Sequence, residues 1–225
     1  MKRILSVFAA FIFALSFAIP TNAYSNVYKS NENAQKKIAL TFDDGPHPII
    51  TGRILDILEK YGIKATFFVI GQNVEYYPIA FDRIVKSGCE IGNHTYSHRN
   101  VGNMSEEELL SELEKTERAI ESRCDRHTFL LRPPEGSFGD TVRRVSASRG
   151  YDIILWSIDT LDWAHTSADV MANKVMSSLS GGDIVLMHDY TSGGSHTCDA
   201  LEILIPKLID MGYEFVTVSE LICEE

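Results

Sequence analysis

The chain has 225 residues, 44% hydrophobic and 23% charged, with a formal net charge of −10. An acidic chain without a basic cluster excludes nucleic acid and anionic membrane surfaces as natural partners and leaves an uncharged polymer open. The length supplies one sizeable hydrophobic core and not clearly two.

The chain opens on Met1-Lys2-Arg3, runs through the almost wholly apolar Ile4–Ile19, and reaches Pro20-Thr21-Asn22-Ala23. This is the pattern of a secretory signal peptide cut near Ala23. The apolar run is shorter than the roughly 20 residues that span a bilayer. A monomer, secreted or cell-wall associated and without stable membrane insertion, is therefore expected. Four cysteines, Cys89, Cys124, Cys198 and Cys223, permit disulfides in an oxidising compartment. None forms C-x-x-C and their spacing is too wide for a zinc ribbon, so bridges and free thiols both stay open.

Residues 24–36 are polar and read as a flexible lead before one domain spanning 37–225. The predicted elements then alternate. A strand over 37–42 precedes a helix over 50–60 that ends at Gly62, and a short apolar strand over 65–70 follows. A helix over 79–86 stops at Gly88 before a strand over 89–92. Ser105 and Glu108 form a capping box for a helix reaching Ser122, whose charged side reads as a solvated face. Strands over 129–131, 153–158, 184–187 and 215–218 are separated by helices over 141–148, 168–179 and 200–211. Such alternation implies a parallel sheet covered by helices. The expected fold is α/β, a distorted (β/α) barrel of about seven parallel strands, with a doubly wound open sheet as the alternative.

Polar residues gather just past these strands. Asp43 and Asp44 follow the first, His94 and His98 the third, and Arg132 the fourth. Asp159 and Asp162 follow the fifth, and His188 and Asp189 the sixth. In a parallel barrel all strand C-termini open on one face, where catalytic residues collect. Neighbouring side chains of an extended segment point opposite ways, so Asp43 and Asp44 can serve different partners. Alone, the pair reads equally well as a strand end with an Asx-turn. His94-Thr95-Tyr96-Ser97-His98 spaces two imidazoles four apart, which places both on one side of a helical turn. With Asp44 they make a two-His, one-carboxylate set that leaves positions open for water. His188, beside two aspartates on the shared face, suits proton transfer better than core packing. Trp156 reads as core, and His47, His165, His196 and His127 as loop or surface residues.

These residues resemble the five motifs of the polysaccharide deacetylases, the NodB-homology domain of carbohydrate esterase family four. Thr41-Phe42-Asp43-Asp44-Gly45-Pro46 is similar to the first motif, His94–His98 to the second and Arg132-Pro133-Pro134-Glu135-Gly136 to the third. Asp159–Trp163 is similar to the fourth and Leu186–Asp189 to the fifth. The resemblance implies that Asp44, His94 and His98 hold a divalent metal, zinc first, with cobalt, nickel or iron as alternatives. It implies that Asp43 is the general base, held by Arg132, and that His188, paired with Asp162, is the acid. Pro134, Glu135, Trp163 and Leu186 would contact the substrate. Many members carry Tyr where this chain has Glu135, which puts substrate preference in doubt but not a backbone N–H at that position. The implied activity is removal of N-acetyl groups from an amino-sugar polymer, peptidoglycan or chitin-like. An O-acetyl esterase on xylan and an inactive glycan-binding module are the alternatives.

Overall fold

The computed structural model describes residues 24–224, so the signal-peptide reading of Met1–Ala23 lies outside the described residues. In chain order the first half comprises β1 (Val27–Tyr28), β2 (Lys37–Asp43), α1 (Ile50–Tyr61), β3 (Thr66–Val69), α2 (Gly71–Tyr76), α3 (Pro78–Ser87), β4 (Glu90–Asn93) and α4 (Glu106–Glu121). The second half comprises β5 (Leu130–Leu131), α5 (Asp140–Ser148), β6 (Asp152–Ile154), β7 (Ile158–Asp159), α6 (Ala168–Ser178), β8 (Asp183–His188), α7 (Thr197–Asp210), β9 (Glu214–Phe215) and α8 (Val218–Ile222). The local signals act as expected: Gly62 closes α1 in the left-handed conformation, and the Ser105–Glu108 capping box opens α4.

The strands pair in parallel in the order β1-β6-β5-β4-β3-β2-β8-β7, with β9 beside β2. Taken as a ring, β2 to β8 follow one another in chain order and the ring is broken only between β6 and β7. A doubly wound sheet would instead reverse direction at its middle. The fold is thus a curled, incompletely closed (β/α) barrel in one domain, with eight strands along the sheet path and β9 beside them among the described residues, against about seven expected.

Strand β2 shows why both faces are apolar. Ile38, Leu40 and Phe42 pack outward with Ile54, Leu58, Phe81, Leu201 and Leu204 of the surrounding helices. Phe42 stacks on Phe67 with ring centroids 5.0 Å apart. Ala39, on the opposite face, packs inside the barrel with Phe68, Ile154 and Ile184. Helix α8 joins this inner cluster through Val218 and Leu221, and its first amides bond Thr66 and Glu90, so it plugs the end of the barrel away from the strand C-termini.

Several expectations are corrected. The strand expected over 153–158 is two strands, because Leu155–Ser157 carry the chain from one edge of the curled sheet to the other. The strand expected over 215–218 stops at Phe215, where Thr217 caps α8 instead. The lead contains β1, which pairs with β6. Helix α2 has no strong local signal. The charged side of α4 is not wholly solvated, since Glu112 and Glu117 are buried on it. All four cysteines are free thiols, Cys89 and Cys198 buried, Cys124 half-buried and Cys223 exposed. Among the described residues no helix is long and apolar enough to cross a membrane.

Candidate active site

Asp43 ends β2 on the inner face and is buried. Asp44 has φ 74°, a left-handed conformation that cancels strand alternation. The two carboxylates therefore do not diverge, as an extended segment would have them do. Both approach His94 Nε2, Asp43 Oδ2 at 3.8 Å and Asp44 Oδ1 at 3.4 Å. Helix α2 steadies the turn, with Asn73 Nδ2 donating to the Asp44 carbonyl at 2.8 Å.

The His94–His98 segment is not a helical turn. Thr95 and His98 both take positive φ, and this irregular loop brings the imidazoles together with centroids 4.9 Å apart. His94 Nδ1 lies 2.7 Å from the Arg132 carbonyl, an acceptor, so Nδ1 carries the proton and the Nε2 lone pair faces the carboxylates. His98 Nε2 lies 3.2 Å from Asp44 Oδ1. One donor atom from each of Asp44, His94 and His98 falls within 4.8 Å of the others.

Asp44 Oδ1, at the centre of this set, is buried and makes no hydrogen bond. A buried carboxylate oxygen facing two imidazole nitrogens without a proper donor is unfavourable unless a cation sits between them. Burial opposes charge on His94, but the carboxylates of Asp43 and Asp44 outweigh it and raise its pKa. Burial, with His94 beside it, keeps His98 below the ordinary imidazole range, in the neutral form that ligates. The donor set thus fits a divalent ion.

Arg132 is fully buried at the β6–β7 break. Its Nε and Nη2 donate to the carbonyls of Ile154 and Leu155 at 3.2 and 3.1 Å. Nη1 donates to Thr41 Oγ1 at 2.7 Å and to Asp43 Oδ1 at 2.8 Å. The guanidinium lies 4.1 Å from the Phe68 ring centroid.

Asp162, wholly buried, accepts four hydrogen bonds. His188 Nδ1 and the Trp163 amide reach Oδ1 at 2.8 and 3.0 Å, while the His188 amide and Thr197 Oγ1 reach Oδ2 at 2.7 and 2.8 Å. This fixes the Nδ1–H tautomer and turns His188 Nε2 outward. Burial works against an imidazolium here, yet the hydrogen bond and charge of Asp162, with Asp43 and Asp44 behind it, push His188 up to about 9.

A cleft of about 450 Å³ is lined by Asp43, Asp44, His94, His98, Glu135, Trp156, Asp159, Trp163, Leu186 and His188. Of the residues read from sequence as substrate contacts, Glu135, Trp163 and Leu186 line it, whereas Pro134 is buried in the turn beneath. Trp156 both packs the core and lines the cleft. His47 stacks on Tyr190, His165 bonds the Gly194 carbonyl, His196 pairs with Asp199 and His127 with Glu121, all away from the cleft lining. Asp189 is buried behind the site, and burial, with the charges of Asp44 and Asp43, pushes it up to about 7 despite a hydrogen bond from Thr51. It packs against Gly45 so closely that a Cβ there would sit 2.1 Å from its Oδ2.

The sequence reading missed Thr41, which shares Arg132 with Asp43, and Thr197, which completes the shell of Asp162. Thr41 lies inside the first motif and was available to that reading. Thr197 follows the Gly-Ser loop past β8, and nothing local marks it. Among the described residues seven non-glycine residues have positive φ, and five of them, Asp44, Thr95, His98, Glu135 and Leu161, lie in the strand-end motifs. Strained backbone therefore concentrates at the site.

A family described as polysaccharide deacetylase matches residues 30–154. The chain is 41% identical over 192 residues to a peptidoglycan-N-acetylglucosamine deacetylase of Bacillus cereus, covering 84% of this chain and 90% of that protein. It is 41% identical over 187 residues to a peptidoglycan-N-acetylmuramic acid deacetylase of Bacillus subtilis, covering 83% of this chain and 39% of that longer protein. The crystal structure of the Bc1960 peptidoglycan N-acetylglucosamine deacetylase superposes with a TM-score of 0.83 at 35% identity, over 88% of this chain and 92% of that one.

Proposed function

The chain belongs to the polysaccharide deacetylase family, and from that membership we propose a secreted, metal-dependent hydrolase that removes N-acetyl groups from the amino sugars of peptidoglycan and releases acetate. One observation carries the reading: the Asp44, His94 and His98 donor set, the Asp43–Arg132 pair and the His188–Asp162 pair converge on one cleft. The protein acts as a monomer after the signal is cut near Ala23.

Asp44, His94 and His98 would hold the ion, and two imidazoles with one carboxylate suit zinc, with cobalt, nickel or iron as substitutes. A bound divalent ion supplies Lewis acidity for the acetyl carbonyl and for water. Asp43, held by Arg132, accepts the proton of the attacking water. His188, charged through Asp162, gives a proton to the departing nitrogen, which leaves poorly as an anion. Trp163 and Leu186 form the apolar wall against the sugar and its acetyl methyl, and Glu135 adds negative charge at the rim.

Acetate release from peptidoglycan and N-acetylglucosamine oligomers, set beside acetylated xylan, tests the reading. Release from xylan alone would replace it with an O-acetyl esterase, and no release from any acetylated glycan would leave a binding module. Chelation should abolish turnover, and zinc should restore it. Zinc at 100 times its Kd should also stabilise the fold by about 2.7 kcal/mol, read as a rise in melting temperature.

The acid can be tested by pH. Turnover needs charged His188, so kcat/KM should fall as pH rises through about 9. Asp162→Asn removes the partner that raises this pKa, and the basic limb should move down toward the ordinary imidazole value of about 6.5. The stability sign agrees: the folded pKa lies above the unfolded one, so this contribution is complete below about 6.5 and is lost as pH rises through about 9. An unmoved limb in a folded variant would take the acid role from His188.

A further inference from the structure

The loop presenting both imidazoles has no regular structure, yet the amides of His94, Thr95, Tyr96 and Ser97 are all engaged. Left-handed residues at Thr95 and His98 persist only where the surroundings over-determine them. The Thr95 amide donates to Asn93 Oδ1 at 2.8 Å. The carbonyls of Thr95 and Tyr96 each accept from the first amides of α2, Gly71 and Gln72, at 3.0 Å. The amides of Tyr96 and Ser97 both point at one atom. That atom is Glu112 Oε2 on α4, at 3.1 and 2.8 Å, and Ser97 Oγ adds a third bond at 2.9 Å. The Glu112 side chain is 4% exposed, and its second oxygen meets Arg99 Nη2 at 3.2 Å.

Helix formation does not require a buried carboxylate at this position. Neighbouring buried positions of α4 are filled by Leu109, Leu113 and Thr116, and an ionised group among them is costly without donors. Three of the four donors to Glu112 come from the metal loop, and the fourth is Arg99 just past it. We infer that Glu112 is a positioning residue for the ligand set: by gathering the Tyr96 and Ser97 amides on one oxygen, it fixes the facing of His94 and His98 and so the affinity for the divalent ion. This rests on the metal-site reading of Asp44, His94 and His98 above.

Zinc binding, measured by competition with a chromophoric chelator, tests the inference on the full mature chain. Glu112→Ala should raise the zinc Kd by about 10–100-fold, the usual cost of losing a group that orients metal ligands. The zinc concentration for half-maximal acetate release should rise by the same factor. Glu112→Gln keeps one carbonyl acceptor at the same reach and should weaken zinc less than Ala does, though still severalfold. It carries the test if the Ala variant does not fold. A merely structural Glu112 would lower the melting temperature of the zinc-free protein and leave Kd within about twofold of wild type, and that result overturns the inference. Wild type that binds no zinc would instead overturn the metal-site reading, so the two failures are distinguishable.

Discussion

Asp43→Asn is expected to lower kcat by about 10²–10⁴, the range general-base catalysis supplies. Asn is nearly isosteric, and its amide oxygen can still accept from Arg132 Nη1, which reaches Asp43 Oδ1 at 2.8 Å in the wild type. What is lost is the capacity to take a proton. Asp43 lies outside the donor set formed by Asp44, His94 and His98, so zinc affinity should stay close to wild type. The buried guanidinium loses its counter-charge, and the variant should melt earlier. Turnover must therefore be compared per folded, zinc-loaded molecule. A variant that releases acetate at the wild-type rate would remove Asp43 from the role of base.

Arg132→Met should be the most damaging single change to stability, at about 3–5 kcal/mol, the usual cost of removing one partner of a buried ion pair. Its loss leaves Asp43 buried and uncompensated, and it also strips donors from Thr41 Oγ1 and from the carbonyls of Ile154 and Leu155. Domains of this size keep only about 5–15 kcal/mol in total. The urea midpoint reads the effect, and a loss under about 1 kcal/mol would show that the pair stabilises the fold little.

Much of this site was legible because it interrupts a simple pattern. The buried runs before Asp43, Asp159 and His188 announce strands, and polar residues at their ends stand out against them. The histidine spacing likewise marked two imidazoles that come together beside Asp44. The conformation that unites these groups was not legible. Alternation predicted diverging carboxylates at Asp43 and Asp44, and spacing predicted a helical turn for His94–His98. Positive φ at Asp44, Thr95 and His98 overrides both. Those angles are imposed by partners distant in the chain: Asn73 on the Asp44 carbonyl, the α2 amides and Glu112 on the histidine loop. The same limit applies to the strand break at Leu155–Ser157, since an apolar run interrupted only by Ser157 does not say that a sheet must change edges there.

Arg132 joins two tasks in one side chain. It fills the gap where the strand ring is broken, and it anchors the carboxylate beside Asp44, His94 and His98. The two tasks cannot be inherited separately. A descendant relieved of selection for turnover would decay unevenly. His98, at the mouth of the cleft, holds no strand together and would drift first. Arg132 would persist long after the chemistry had gone. In an inactive relative of this chain, therefore, an intact arginine at this position would be evidence of a surviving fold and not of a surviving enzyme.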